Sequence, residues 1–182
     1  MRNTLKFILS LVIALVAMLG VRALVFTVYT IDGEGLAPAF IAGDRVLVNR
    51  WSYGLRTGSD KGLFSYGRLC RQMPEIGDFI AYEDPRDSTC RTILFGCCQA
   101  LPGDSVVSGG HVMVVPSLSN CADADYYWVS ALGEGNPIDS RQLGFISEQR
   151  IIGRAFIVLY NHDISCWSPW KGWRHDRLLL LK

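Results

Sequence analysis

Few residues of this chain stand where they could do chemistry at neutral pH. Cys97 and Cys98 are adjacent, and a thiolate at either would be a nucleophile; structural burial or pairing in a disulfide is the commoner fate of cysteine. Glu34 sits between Gly33 and Gly35, where a carboxylate either activates a water or is an ordinary solvated loop charge. The three histidines, His111, His162 and His175, are scattered, and no CxxC or HxxxH spacing appears, so no metal site is expected. Six cysteines, Cys70, Cys90, Cys97, Cys98, Cys121 and Cys166, fit an oxidising compartment without revealing a connectivity.

Whatever chemistry exists must be positioned by one folded unit, since 182 residues suffice for a single buried domain plus an anchor. Residues 7–21 carry no charge, and beyond Arg22 the apolar run resumes to Tyr29. This predicts a transmembrane helix over roughly residues 5–27, with Arg22 snorkelling to the headgroups. The chain then divides into an anchor, 1–29, and a domain, 30–182. Arg2 and Lys6 ahead of the span favour a cytoplasmic N-terminus and a body outside the inner membrane. A cleaved secretory signal is the alternative, although no small-x-small site closes the run; both readings export residues 30–182. Lys plus Arg number 18 against 17 Asp plus Glu, which leaves no basic excess for neutralising phosphates and argues against nucleic acid as a partner.

Beyond the anchor no helical period lasts more than two turns. Short β-rich runs recur instead: "DRVLVNRWSYGL", "GDFIAYED", "CRTILFG", "GDSVVSGGHVMVVP", "DYYWVSAL" and "RIIGRAFIVLY". The expected fold class is mainly β, an antiparallel bent sheet or barrel behind one N-terminal helix. Gly-Asp returns at 43–44, 77–78 and 103–104, each time before a β run, as expected of tight turns that launch strands. Residues 62–78 read as a loop or short helix. Trp51, Trp167, Trp170 and Trp173 are candidates for contact with a membrane interface.

Five segments, in order, carry a family resemblance: "APAFIAGDRVLVNRWSYGLR" at 37–56, "IGDFIAYEDP" at 76–85, "ALPGDSV" at 100–106, "LGEGNPIDSRQLGFISEQRIIGRAFIVLY" at 132–160, and the tail "WRHDRLLLLK". Together they resemble the bacterial type I signal peptidases, the membrane-anchored Ser/Lys class, and the tail is similar to that of Bacteroidetes members. The resemblance implies an exported β-domain on the membrane surface that cleaves signal peptides from preproteins after small residues such as Ala-x-Ala. It implies no metal and no cofactor. Its chemistry is a serine hydroxyl activated by a lysine kept neutral through burial.

Matched residue by residue, the dyad is missing. Setting Pro38 on the family's proline puts Gly35 in the nucleophile slot, Leu36 in the methionine slot and Gly33 where a supporting serine would stand; a shifted register puts Glu34 in the nucleophile slot. Anchoring on "ALPGD" puts Gly96 in the lysine slot and Cys97 in the neighbouring arginine slot. The four lysines, Lys6, Lys61, Lys171 and Lys182, all lie elsewhere. Pro137 replaces a serine that would hydrogen-bond the lysine, while Asp139, Ser140 and Arg141 of the same box remain as structural support.

Three functions are therefore open. One is a non-hydrolytic homologue that binds signal peptides or preproteins. Another is an active signal peptidase using Glu34, Cys97 or Cys98 as substitutes. The third is an assembly factor of a secretion or surface-anchoring system. Implied partners are signal peptides or preproteins, membrane lipid, and an active signal peptidase or the secretion machinery.

Overall fold

The computed structural model describes residues 2–31, 37, 40–58, 66–87, 92–120, 122–131, 138–162, 173–174 and 179–180. The Leu-, Val- and Ala-rich N-terminus forms α1 (Arg2–Leu24). The helix stops there because the next residues, Phe-Thr-Val-Tyr-Thr, are aromatic and β-branched and enter β1 (Phe26–Thr30), which pairs antiparallel with β2 (Asp44–Asn49). Residues 26–29, grouped with the anchor by hydropathy, thus belong to the sheet. Among the described residues no helix is long and apolar enough to cross a membrane.

The domain is antiparallel β, as its alternating runs suggest. The remaining strands are β3 (Leu55–Thr57), β4 (Gly67–Leu69), β5 (Phe79–Glu83), β6 (Ile93–Ala100), β7 (Ser105–Ser108), β8 (His111–Val114), β9 (Tyr126–Ser130), β10 (Ile146–Ser147), β11 (Ile151–His162), β12 (Trp173–Arg174) and β13 (Leu179–Leu180). The main sheet runs β1-β2-β11-β5-β6-β9-β10, with β12 and β13 also on β11; β3-β4 and β7-β8 are separate hairpins. Register shifts interrupt β11 against both β2 and β5, and extra residues of this kind bend a strand and increase its twist. Of the stretch 62–78 expected to be a loop or short helix, residues 67–69 instead form β4, paired with β3, while 70–78 are loop and turn.

All three Gly-Asp pairs are tight turns. Gly43, Gly77 and Gly103 have φ of 87°, 95° and 92°, the sign that glycine adopts without steric cost. The aspartate closes each turn twice. Its N–H donates to the carbonyl three residues back, and its carboxylate accepts from that residue's N–H: Ile41 to Asp44 at 2.9 Å, Glu75 to Asp78 at 3.1 Å and Leu101 to Asp104 at 2.8 Å.

Strand alternation divides the apolar residues. Ile31, Phe40, Val46, Val48, Ala81 and Phe95 pack on one side, with Phe40 edge-on to Phe79 at 5.2 Å between ring centroids. Tyr53, Ile80, Tyr82, Cys98, Tyr127 and Val129 form a second cluster.

Candidate functional site

Three residues of the β9 region, Val129, Ser130 and Ala131, gather the pieces that the sequence separates. On one edge lies β6, with Cys97 opposite Ser130 and Cys98 opposite Val129, followed by a register shift before Ala100. On the other edge β10 covers only Tyr126 and Tyr127. Beyond it the N–H groups of Val129 and Ala131 meet no strand among the described residues and donate instead to side chains: Val129 to Ser140 Oγ at 2.9 Å, Ala131 to Asp139 Oδ2 at 3.2 Å.

Those acceptors come from α2 (Ser140–Leu143), whose N-cap is Asp139. The Asp139 carboxylate is 1% exposed and accepts from the Arg141 backbone N–H at 2.8 Å and from Arg141 Nε at 2.9 Å, with Arg141 Nη2 2.7 Å away. The guanidinium itself is 56% exposed. The Asp-Ser-Arg triplet thus replaces a missing strand, an explanation for its composition that needs no reacting group.

Gly96 lies in β6 opposite Ile80. It faces the cluster of Ile80, Cys98 and Val129, and a Cβ on it would stand 2.5 Å from Val129 Cγ1 and 3.1 Å from the Ser130 carbonyl oxygen. Ile31 and Phe40, which flank the nucleophile-slot segment, pack with Phe95 on the other face. Cys97, opposite Phe79, shares that face. Gly33, Glu34, Gly35, Leu36, Pro38 and Pro137 lie outside the described residues, as do Cys90, Cys121 and Cys166.

Neither described thiol of the pair is activated. Burial, then the nearby Asp78 carboxylate, pushes Cys97 up, and the same two causes push buried Cys98 up to about 12. Asp78 is itself occupied, accepting from Tyr53 Oη at 2.8 Å and pairing with Arg154 at 3.1 Å. Cys70, Cys97 and Cys98 are all free, with Cys70 exposed. Among the described residues no three His, Cys, Asp or Glu side chains are grouped as a metal would require.

Two features escape a reading of the sequence. Arg68, 1% exposed, donates to the carbonyls of Gly54 at 3.2 Å and Glu148 at 2.9 Å, stitching the β3-β4 hairpin to the turn before β11. Ser130 lines a groove of about 310 Å³ with Gln99, Val107, Ser108, Trp128 and Arg141. A lone arginine after a glycine and a serine at a strand end carry no signal by which either could have been found.

A family model described as signal peptidase, peptidase S26, matches residues 4–117, more than half of the chain. The chain belongs to that family. The match to the S26 signal peptidases takes in α1, the three Gly-Asp turns, β6 and the β7-β8 hairpin, and ends before the Asp-Ser-Arg triplet. No curated protein matches.

Proposed function

We propose that this member of the S26 signal peptidases binds the signal peptides of secreted preproteins without hydrolysing them. The observation that carries the reading is the Gly96–Val129 contact: position 96 bears no amine, and the room a lysine would enter is filled by a fully buried valine. Cys97, on the opposite face, bears no amine either, and its thiol is held protonated. The nucleophile slot falls on Gly35 or Glu34, so a serine is missing in both registers. Losing the nucleophile in a serine protease costs on the order of a million-fold in turnover.

The domain sits, on this reading, on the outer side of the inner membrane, held by α1 as a single-pass anchor. In support, α1 exposes Phe7, Leu11, Ile13, Leu15, Val16 and Met18, and a helix apolar all round needs hydrocarbon or protein about it. Arg2 and Lys6 at its start favour a cytoplasmic N-terminus. Partners are then preproteins and lipid, with an active signal peptidase or the secretion machinery nearby.

The test is mass-spectrometric analysis of an Ala-x-Ala preprotein incubated with the solubilised protein, alongside a binding measurement on the same substrate. Binding without cleavage supports the proposal. Cleavage that disappears in a Glu34→Ala, Cys97→Ala, Cys98→Ala variant overturns it in favour of an active enzyme with substitute groups. Neither binding nor cleavage points to an assembly role.

A further inference from the structure

β7 pairs with β8 alone, so among the described residues its other edge is open. Val107 and Ser108 of that strand line a groove together with Gln99, Trp128, Ser130 and Arg141. At about 310 Å³ it stands at the small end of the range for ligand pockets. Neither Gly96 nor Val129 lines it, so it is distinct from the lysine slot.

The lining chemistry is rich in donors. A guanidinium, two hydroxyls and an amide line the groove, and among the described residues no carboxylate does. Asp139 grips Arg141 and fixes the plane of the guanidinium while leaving more than half of it exposed. Ser130 is 7% exposed, and its hydroxyl has no partner among the described residues. An unpaired buried hydroxyl lowers stability, and a ligand oxygen that met it would recover that loss.

We propose that this groove receives the C-terminal carboxylate of an extended peptide, whose last residues pair with the open edge of β7 while the carboxylate meets Arg141, Ser130 and Gln99. Strand addition to an edge supplies sequence-tolerant main-chain bonds, and a carboxylate gains charge-assisted bonds from a guanidinium. The proposal rests on the peptide-binding reading and assigns it a site for peptides that end, such as a signal peptide already released.

Calorimetry on the full chain in detergent tests it with an acetylated pentapeptide ending Ala-Val-Ala, prepared as the free acid, as the C-terminal amide, and as an amide with a glutamate at the last position. A complete signal peptide, amidated, is titrated in parallel. The acid is expected to bind about tenfold tighter than either amide. Ser130→Ala should reduce that preference by several-fold without lowering the melting temperature, because the hydroxyl it removes is unpaired. Arg141→Gln should abolish the preference. If it fails to fold for want of a partner to Asp139, Ser130→Ala and Gln99→Leu decide the matter. Equal binding of acid and amide, tighter binding of the glutamate amide, or an unchanged preference in Ser130→Ala overturns the carboxylate site, and binding of the complete signal peptide then leaves the broader reading standing. If no peptide binds, both fall.

Discussion

Val129 Cγ1 occupies the place from which any side chain on Gly96 would have to grow, 2.5 Å from an ideal Cβ. Val129 is fully buried, so it yields only by displacing its own neighbours. Gly96→Ala should therefore destabilise the protein by about 1–3 kcal/mol, the usual cost of overpacking, and Gly96→Lys by more because it also buries an amine. Combining Gly96→Ala with Val129→Ala should cost less than the two changes added together. Urea unfolding of the four proteins in this cycle measures the coupling, and strict additivity would contradict the contact.

Ser140 acts on the sheet through one bond. Ser140→Ala leaves the Val129 N–H without its acceptor in a buried setting, with an expected loss of about 1–3 kcal/mol. Hydrogen exchange should quicken at Val129 and Ala131 well before the β1-β2 ladder. Uniform exchange across the domain would show that the triplet does not seal this edge.

The thiols differ in accessibility and in acidity. At pH 8 iodoacetamide should modify exposed Cys70 long before half-buried Cys97, and Cys98 last, as read by peptide mapping. Prompt labelling of Cys97 would instead identify it as a live nucleophile and reopen the question of catalysis.

Alkali should unfold the protein for a related reason. From the ordinary thiol value of 9.0 to about 12, an unfolded chain loses the Cys98 proton while the folded one keeps it, so stability falls as pH rises across that window. Burial raises the phenols of Tyr82 and Tyr127 as well, above their ordinary 10.0, adding to the same slope. Denaturant midpoints at pH 8 and pH 10.5 check the sign.

Turn chemistry is local, which is why the three Gly-Asp turns can be read in the sequence: each needs one residue tolerant of positive φ and one short acceptor. The alternating runs likewise announce β5, β6 and β9. The strand partners do not show, because β11 takes neighbours from both ends of the chain. Nor does β4, three residues in a stretch rich in turn formers. That 96 and 97 face opposite ways follows from strand alternation only once β6 is known to run past Gly96, where the β-rich run "CRTILFG" stops. The Asp-Ser-Arg triplet is visible as a motif, yet its bonds to Val129 and Ala131 depend on where β10 stops.

The central position of β11 has a consequence for biogenesis. Among the described residues the backbone pairing between β2 and β5 runs through a strand that begins at Ile151, so the two parts of the sheet made earlier cannot be joined until that strand has emerged. Vectorial delivery from the N-terminus, whether by ribosome or translocon, can close the β1-β2 and β5-β6 hairpins early but cannot join them. The late strand works as a zip fastener, and a chain stalled before it would be a substrate for holdase chaperones and quality-control proteases.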